Sequence, residues 1–464
     1  MKKKNLPKYI KTALILASIF AAVFLIDKQT HIFSSAFGQK ADLIIDAGSS
    51  YKVSGDVWKN LAQGGEEKGR TFLPVIDKVK PLQPQYIRID HIYDFYNIVS
   101  RDSASKLSYN WNELDLVIGD ILATGAKPFI SLSYMPPAIS RGDIIDIPNS
   151  WNDWQSVVKA TVEHISGKSG LGISNVYYEV WNEPDLFGKF KTYGEKNYLD
   201  LYYHSATGAS KATGVLPFKI GGPATTGLYR NWFNSLLNYT AKNNLRLDFY
   251  SWHRYSMKIN DYERDWLNAF SWLGSYPGYS NLEFVITEAG PNSETDPVND
   301  GGFGAIHLIA SSAVLEGNIG KMFTFEVKDG PGPEKYWGRW GILTHEKFGT
   351  HEPKPRYRAL MFLNNMRGEK VNLSGQGSWI KAFARKEGNK IRVLVVNYDP
   401  YGRHSEATPL RFINLPYTDF ILKRIDFGGK SRESKEITDD LGSWSAVEYF
   451  DPNSAAIFEV VPQR

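Results

Sequence analysis

The sequence predicts an α/β fold, a (β/α)8 barrel carrying an accessory antiparallel β-sandwich. Short β-type runs alternate with helical patterns from about residue 85 to 330, which implies parallel β/α units. After about Arg367 the helical patterns give way to short alternating runs parted by turn-rich segments. At 464 residues the chain has room for both parts, because a single core stops growing at about 250–300 residues.

The first 40 residues stand apart. Lys2, Lys3, Lys4, Lys8 and Lys11 precede an uncharged apolar run, Thr12–Ile26. As a helix that run spans about 22 Å, short of a hydrocarbon core of roughly 30 Å. It fits the apolar region of a signal peptide, with Ser34-Ser35-Ala36 as a distant cleavage site, or an uncleaved signal anchor. In both cases the basic flank stays cytoplasmic and the remainder is exported. The expected location is periplasmic or otherwise extracytoplasmic, on the cytoplasmic membrane if the segment is kept. Residues 1–40 are therefore read as the leader, 41–367 as the barrel and 368–464 as the sandwich, with 41–60 able to join the sandwich.

Strands are expected at Gln85–Asp90, Pro128–Tyr134, Val176–Val180, Lys219–Gly222, Leu247–Trp252, Glu283–Thr287 and Lys321–Val327. Amphipathic helices fall between them at Trp111–Ala123, Trp154–Ile165, Tyr198–Ala212, Asn231–Ala241 and Ala305–Leu315. Alternation alone fits a closed barrel or an open doubly wound sheet. No G-x-G-x-x-G follows the first strand, which weakens the dinucleotide-binding version of the open sheet. Trp379–Arg385, Ile391–Asn397, Phe420–Ile425 and Ala455–Val461 are the expected sandwich strands.

Composition narrows the function. The net charge of +4 comes from the leader, which holds seven lysines and one aspartate; without it the chain is at −2. Nothing there suggests a nucleic-acid partner. The absence of cysteine excludes disulfides and thiolate metal sites. Gly167-Lys168-Ser169 ends like a phosphate-binding loop, but Val162 stands where its first glycine belongs. His345-Glu346 has its next histidine at His351, out of register for a zinc helix. No metal and no cofactor are expected.

Two strand ends carry the chemistry. Tyr178-Glu179-Val180-Trp181-Asn182-Glu183-Pro184 closes one β-run in Asn-Glu-Pro, and Phe284-Val285-Ile286-Thr287-Glu288 closes another in a carboxylate. Barrel active sites form where strands meet their following loops. Cleavage of a glycosidic bond needs such a pair, one carboxyl to protonate the leaving oxygen and one to attack carbon or activate water. Glu183 and Glu288 lie 105 residues apart, about three barrel units of roughly 31 residues plus insertions. Glu183 then ends the fourth strand and Glu288 the seventh.

These pieces resemble the retaining barrel glycosidases, and within them glycoside hydrolase family 39, which holds β-xylosidases, α-L-iduronidases and exopolysaccharide hydrolases. The likeness runs in order through Tyr86-Ile87-Arg88, Leu132-Ser133-Tyr134-Met135-Pro136, Glu179 to Leu186 and Gly221-Gly222-Pro223-Ala224. It continues through Asp248 to Tyr255, Ile286-Thr287-Glu288 and Lys354-Pro355-Arg356-Tyr357. The resemblance implies a barrel beside a sandwich, with Glu183 as acid/base and Glu288 as nucleophile about 5–5.5 Å apart. It implies Asn182 on the sugar 2-hydroxyl, and Arg88 and Tyr255 holding Glu288 ionised with a lowered pKa. Proximity to a second carboxylate would raise that of Glu183. His253 is expected in the same subsite, and Trp337 and Trp340 as sugar-stacking groups after the eighth strand. Asp185 reads as a cap or loop residue.

Two positions depart from the family pattern. Asp90 stands where a histidine is common, and Phe325-Glu326 where a tryptophan is usual. They leave the sugar open. The expected partner is an extracytoplasmic, β-linked polysaccharide or oligosaccharide, hydrolysed by double displacement. A transglycosylase and a catalytically inactive carbohydrate-binding scaffold are the alternatives.

Overall fold

The computed structural model describes residues 38–53 and 55–463. The run Thr12–Ile26 and the site at Ala36 lie outside them. Among the described residues no helix is long and apolar enough to cross a membrane.

Eight parallel strands close the barrel: β1 (Asn60–Gln63), β2 (Tyr86–Ile89), β3 (Lys127–Leu132), β4 (Val176–Val180), β5 (Phe218–Thr225), β6 (Phe249–Tyr255), β7 (Glu283–Gly290) and β8 (Lys321–Phe325). Each pairs with the next in the chain, and β8 returns to β1. Sequence reasoning missed β1. It is four residues long, opens and closes on amides, and is buried throughout. The amide N–H groups find buried acceptors: Asn60 donates to the Val57 carbonyl and Gln63 to Glu326. The helix Ile259–Leu273, between β6 and β7, was also missed.

The barrel interior is layered. Phe129, Tyr177, Phe249, Val285 and Phe323 form a buried apolar plug, with the Phe129 and Tyr177 rings stacked 5.1 Å apart. Phe129→Ala would cost about 3–5 kcal/mol, because little can collapse into the gap. Below the plug, Glu283 pairs with Lys219 at 2.6 Å and Lys321 at 2.5 Å. Side chains two residues apart on a strand share a face, so Ser131 follows Phe129 and Glu179 follows Tyr177 toward the loops. The interior thus changes from aromatic to polar along single strands, and the polar layer is the floor of the cleft.

Two further sheets pack face to face around a separate apolar core. One holds Leu373–Ser374, Leu43–Asp46, Glu406–Ile413 and Trp444–Phe450; the other runs from Glu369–Val371 through Ile380–Glu387, Lys390–Asn397, Ser454–Pro462 and Asp419–Asp426 to Ser431–Ile437. Leu43–Asp46 pairs parallel with Glu406–Ile413, a single departure from antiparallel order among these described strands. Arg385, buried, joins sandwich to barrel through Asp56 at 3.2 Å and Glu316 at 2.6 Å. Its N–H groups are not aligned with the Glu316 oxygens, which are left without hydrogen bonds. Burial accordingly pushes the Glu316 carboxyl up to about 7, with Arg385 pulling the other way.

Candidate active site

The cleft opens at the carboxyl ends of the strands, with a volume of about 640 Å³. Asn182, Glu183, Tyr255 and Glu288 line it together with Asp90, Tyr134, Phe187, Phe325 and Trp340.

Glu183 lies just past β4 on a strained turn. Trp181 has φ +74° and Glu183 φ +47°, both left-handed and costly for side chains of this size. The turn is pinned by the Glu183 N–H, which donates to the Ala224 carbonyl at 3.0 Å. Glu288 sits within β7, where the pairing register with β6 shifts.

Arg88, fully buried, ties three positions together. Its Nη1 donates to Glu288 at 2.9 Å, Nη2 to Asn182 at 2.7 Å and Nε to Glu179 at 2.7 Å. Asn182 in turn donates to the Tyr134 hydroxyl at 2.9 Å, so both ends of its amide are fixed. Tyr255 donates to the other oxygen of Glu288 at 2.8 Å. Two donors therefore hold Glu288 in one orientation.

His253 lies between the two carboxylates. Its Nδ1 is 2.8 Å from Glu183 and 3.4 Å from Glu288. An oxygen of each glutamate and a ring nitrogen of His253 lie within 4.8 Å of one another. Burial opposes a charged ring, but Glu288 and the hydrogen bond to Glu183 outweigh it and raise the His253 pKa.

The electrostatics correct one expectation. Burial dominates at Glu288 and raises its pKa; His253 and Arg88 pull it down, while Glu183 and Asp90 push it further up. Charged neighbours can be anticipated from sequence, whereas the extent of burial cannot.

Trp340 reaches the cleft, yet Arg339 covers its ring at 3.5 Å and Phe325 packs at 5.2 Å. Trp337 does not line the cleft: its indole rests on Gly332, with Arg339 at 5.2 Å. It braces the loop instead of presenting a sugar-stacking face. Phe325 lines the cleft, and Glu326 is buried behind it, receiving Gln63 at 2.7 Å.

Sequence reasoning passed over Glu179 and Tyr134 as site residues. The signal for Glu179 was present: a carboxylate within the apolar run Tyr177–Trp181 needs a buried cation, and Arg88 supplies it. The second cluster of metal-ligand residue types, Glu67, His345 and Glu346, already surrounds the Lys328 ammonium, at 3.0 Å from Glu67 and 2.7 Å from Glu346.

The sequence model of glycosyl hydrolases family 39 matches residues 71–271, which hold β2 to β6, Arg88, Glu183, His253 and Tyr255. That match, with the likenesses below, supports glycosyl hydrolase family 39 for this chain. The same findings support a glycosidase. A β-xylosidase of Geobacillus stearothermophilus is 26% identical over 333 residues, 64% of each chain. One of Caldicellulosiruptor saccharolyticus is 24% identical over 380 residues, 74% of this chain and 73% of that enzyme. Among solved structures, the family-39 enzyme of Xanthomonas axonopodis pv. citri superposes with a TM-score of 0.73 at 19% identity, covering 92% of this chain and 98% of that one. A monomeric β-xylosidase of Caulobacter crescentus gives 0.72 at 18%, covering 91% and 100%. These likenesses carry the family-39 fold, barrel and sandwich together.

Proposed function

We propose that this protein is a retaining family-39 glycosidase that cleaves a β-linked polysaccharide or oligosaccharide outside the cytoplasm. The observation that carries the mechanism is the closeness of Glu183 and Glu288, whose nearest oxygens lie within 4.8 Å. Retaining enzymes hold their carboxyl groups about 5–5.5 Å apart, inverting ones about 6.5–9.5 Å to admit a water.

In this reading Glu288 attacks the anomeric carbon. Arg88 and Tyr255 leave it one orientation, so little motion is lost at the transition state. Glu183 protonates the departing oxygen and afterwards takes a proton from the incoming water. His253 donates between them, stabilising whichever carboxylate is charged as the proton changes place. Asn182, held by Arg88 and Tyr134, offers an amide to the sugar 2-hydroxyl. The export half of the proposal rests on the basic flank and apolar run of residues 1–26. A C-terminal fusion open to protease in spheroplasts supports it; a protected one refutes it.

The test of mechanism is product configuration. Proton NMR during cleavage of a β-linked oligosaccharide should show the β-anomer first, before mutarotation. An initial α-anomer means inversion and ends the assignment.

A further inference from the structure

Asp90 follows β2 directly and lines the cleft, yet it is 7% exposed. Its Oδ1 has no hydrogen-bond partner among the described residues. Its Oδ2 stands 4.0 Å from Arg88 Nη1, beyond hydrogen-bond reach, and that nitrogen is spent on Glu288. The neighbouring His91 is engaged with Asp94 at 2.8 Å. A buried carboxylate without donors is costly, and native structures rarely keep one without a use. Ligand hydroxyls are donors of the right kind, and the cleft brings them to this point.

The surrounding charge restricts the ligand. Asp90, Asp94, Glu179, Glu183 and Glu288 gather around three basic side chains, Arg88, His91 and His253, each already paired. Arg339, which also lines the cleft, is already paired with Glu66 at 3.0 Å. A sugar carboxylate entering here would meet like charge with no released cation to receive it.

We propose that Asp90 accepts hydrogen bonds from ring hydroxyls of a neutral sugar in the innermost part of the cleft, and excludes carboxylated sugars from it. The assignment rests on the retaining-glycosidase reading and adds the class of sugar to it. Burial pushes the Asp90 carboxyl up; a hydroxyl donated to it would draw it back toward the ionised form.

The experiment compares p-nitrophenyl β-D-xyloside, glucoside, mannoside and galactoside with the β-D-glucuronide, and then 3-deoxy and 4-deoxy forms of the best neutral glycoside. Wild type should favour a neutral glycoside over the glucuronide by at least roughly tenfold in kcat/KM. Loss of the hydroxyl held by Asp90 should cost wild type roughly 10- to 100-fold. In Asp90→Ala the same loss should cost less than about threefold, because the partner is already gone. Asp90→Asn, which keeps the shape, should lie between and should narrow the gap to the glucuronide. A preference for the glucuronide, turnover of no neutral glycoside, or an equal factor lost by both variants on parent and deoxy forms would overturn the proposal. Failure of the retaining reading shows separately, as inverted product or undiminished turnover in Glu288→Gln.

Discussion

The Tyr255 hydroxyl donates to Oε2 of Glu288 at 2.8 Å, the side of the carboxylate that Arg88 leaves free. Tyr255→Phe keeps the ring and removes this bond. We expect kcat/KM to fall roughly 10- to 100-fold. With one donor fewer, the Glu288 pKa rises and the acid limb of the pH–rate profile moves upward. A profile displaced to lower pH would contradict the role given to Tyr255.

The two glutamates should fail differently. Glu288→Gln should lose nearly all turnover on every substrate, because no glycosyl-enzyme can form. Glu183→Ala on a dinitrophenyl glycoside needs little acid assistance in the first step, so it should show a burst. Azide should then restore turnover as the β-glycosyl azide; with Glu288→Gly it should give the α-azide. Equal loss in both variants without rescue would favour the non-catalytic scaffold.

Acid sensitivity follows from the burial of Glu288, and His253 moderates it. Burial holds the Glu288 pKa above the ordinary glutamate range, and His253 is the first of the groups pulling it back. Activity that needs ionised Glu288 should therefore fall with acid sooner than for an exposed glutamate. His253→Asn should shift that limb to still higher pH, read from kcat/KM between pH 4 and 8. An unshifted limb would separate His253 from Glu288.

Stability should depend on pH through Glu316. Its carboxyl sits at about 7 in the fold, against 4.5 ordinarily. The folded state thus binds the proton more tightly, and its stabilising contribution is complete below about pH 4.5. It is lost as pH rises through 7, by up to about 3 kcal/mol. Glu316→Gln should flatten the fall in Tm between pH 5 and 8. The same slope in wild type and variant would place the titration elsewhere.

Much of the barrel was legible because its signals are local. Val176–Val180 and Glu283–Thr287 are apolar runs that stop at a carboxylate, and the structure has strands there. β1 was not legible, since Asn60 and Gln63 read as loop residues until their buried partners are known. Of the site, Glu183, Glu288, Asn182, Arg88, His253 and Tyr255 converge in one hydrogen-bonded group, and each lies at or near a strand end. Trp337 was misplaced because a tryptophan in a cleft-side loop looks the same whether it braces the loop or faces a sugar. Only the packing of Gly332 and Arg339 tells the two apart.

The parallel pairing of Leu43–Asp46 with Glu406–Ile413 makes the barrel an insertion within the sandwich. The first of the described strands has its two partners about 330 and more than 360 residues away, so its edges stay open until most of the chain is made. A fragment cut after the barrel would keep that edge and lose what covers it. Barrel and sandwich should therefore succeed or fail in folding as one unit, and expressing the barrel alone should yield aggregate.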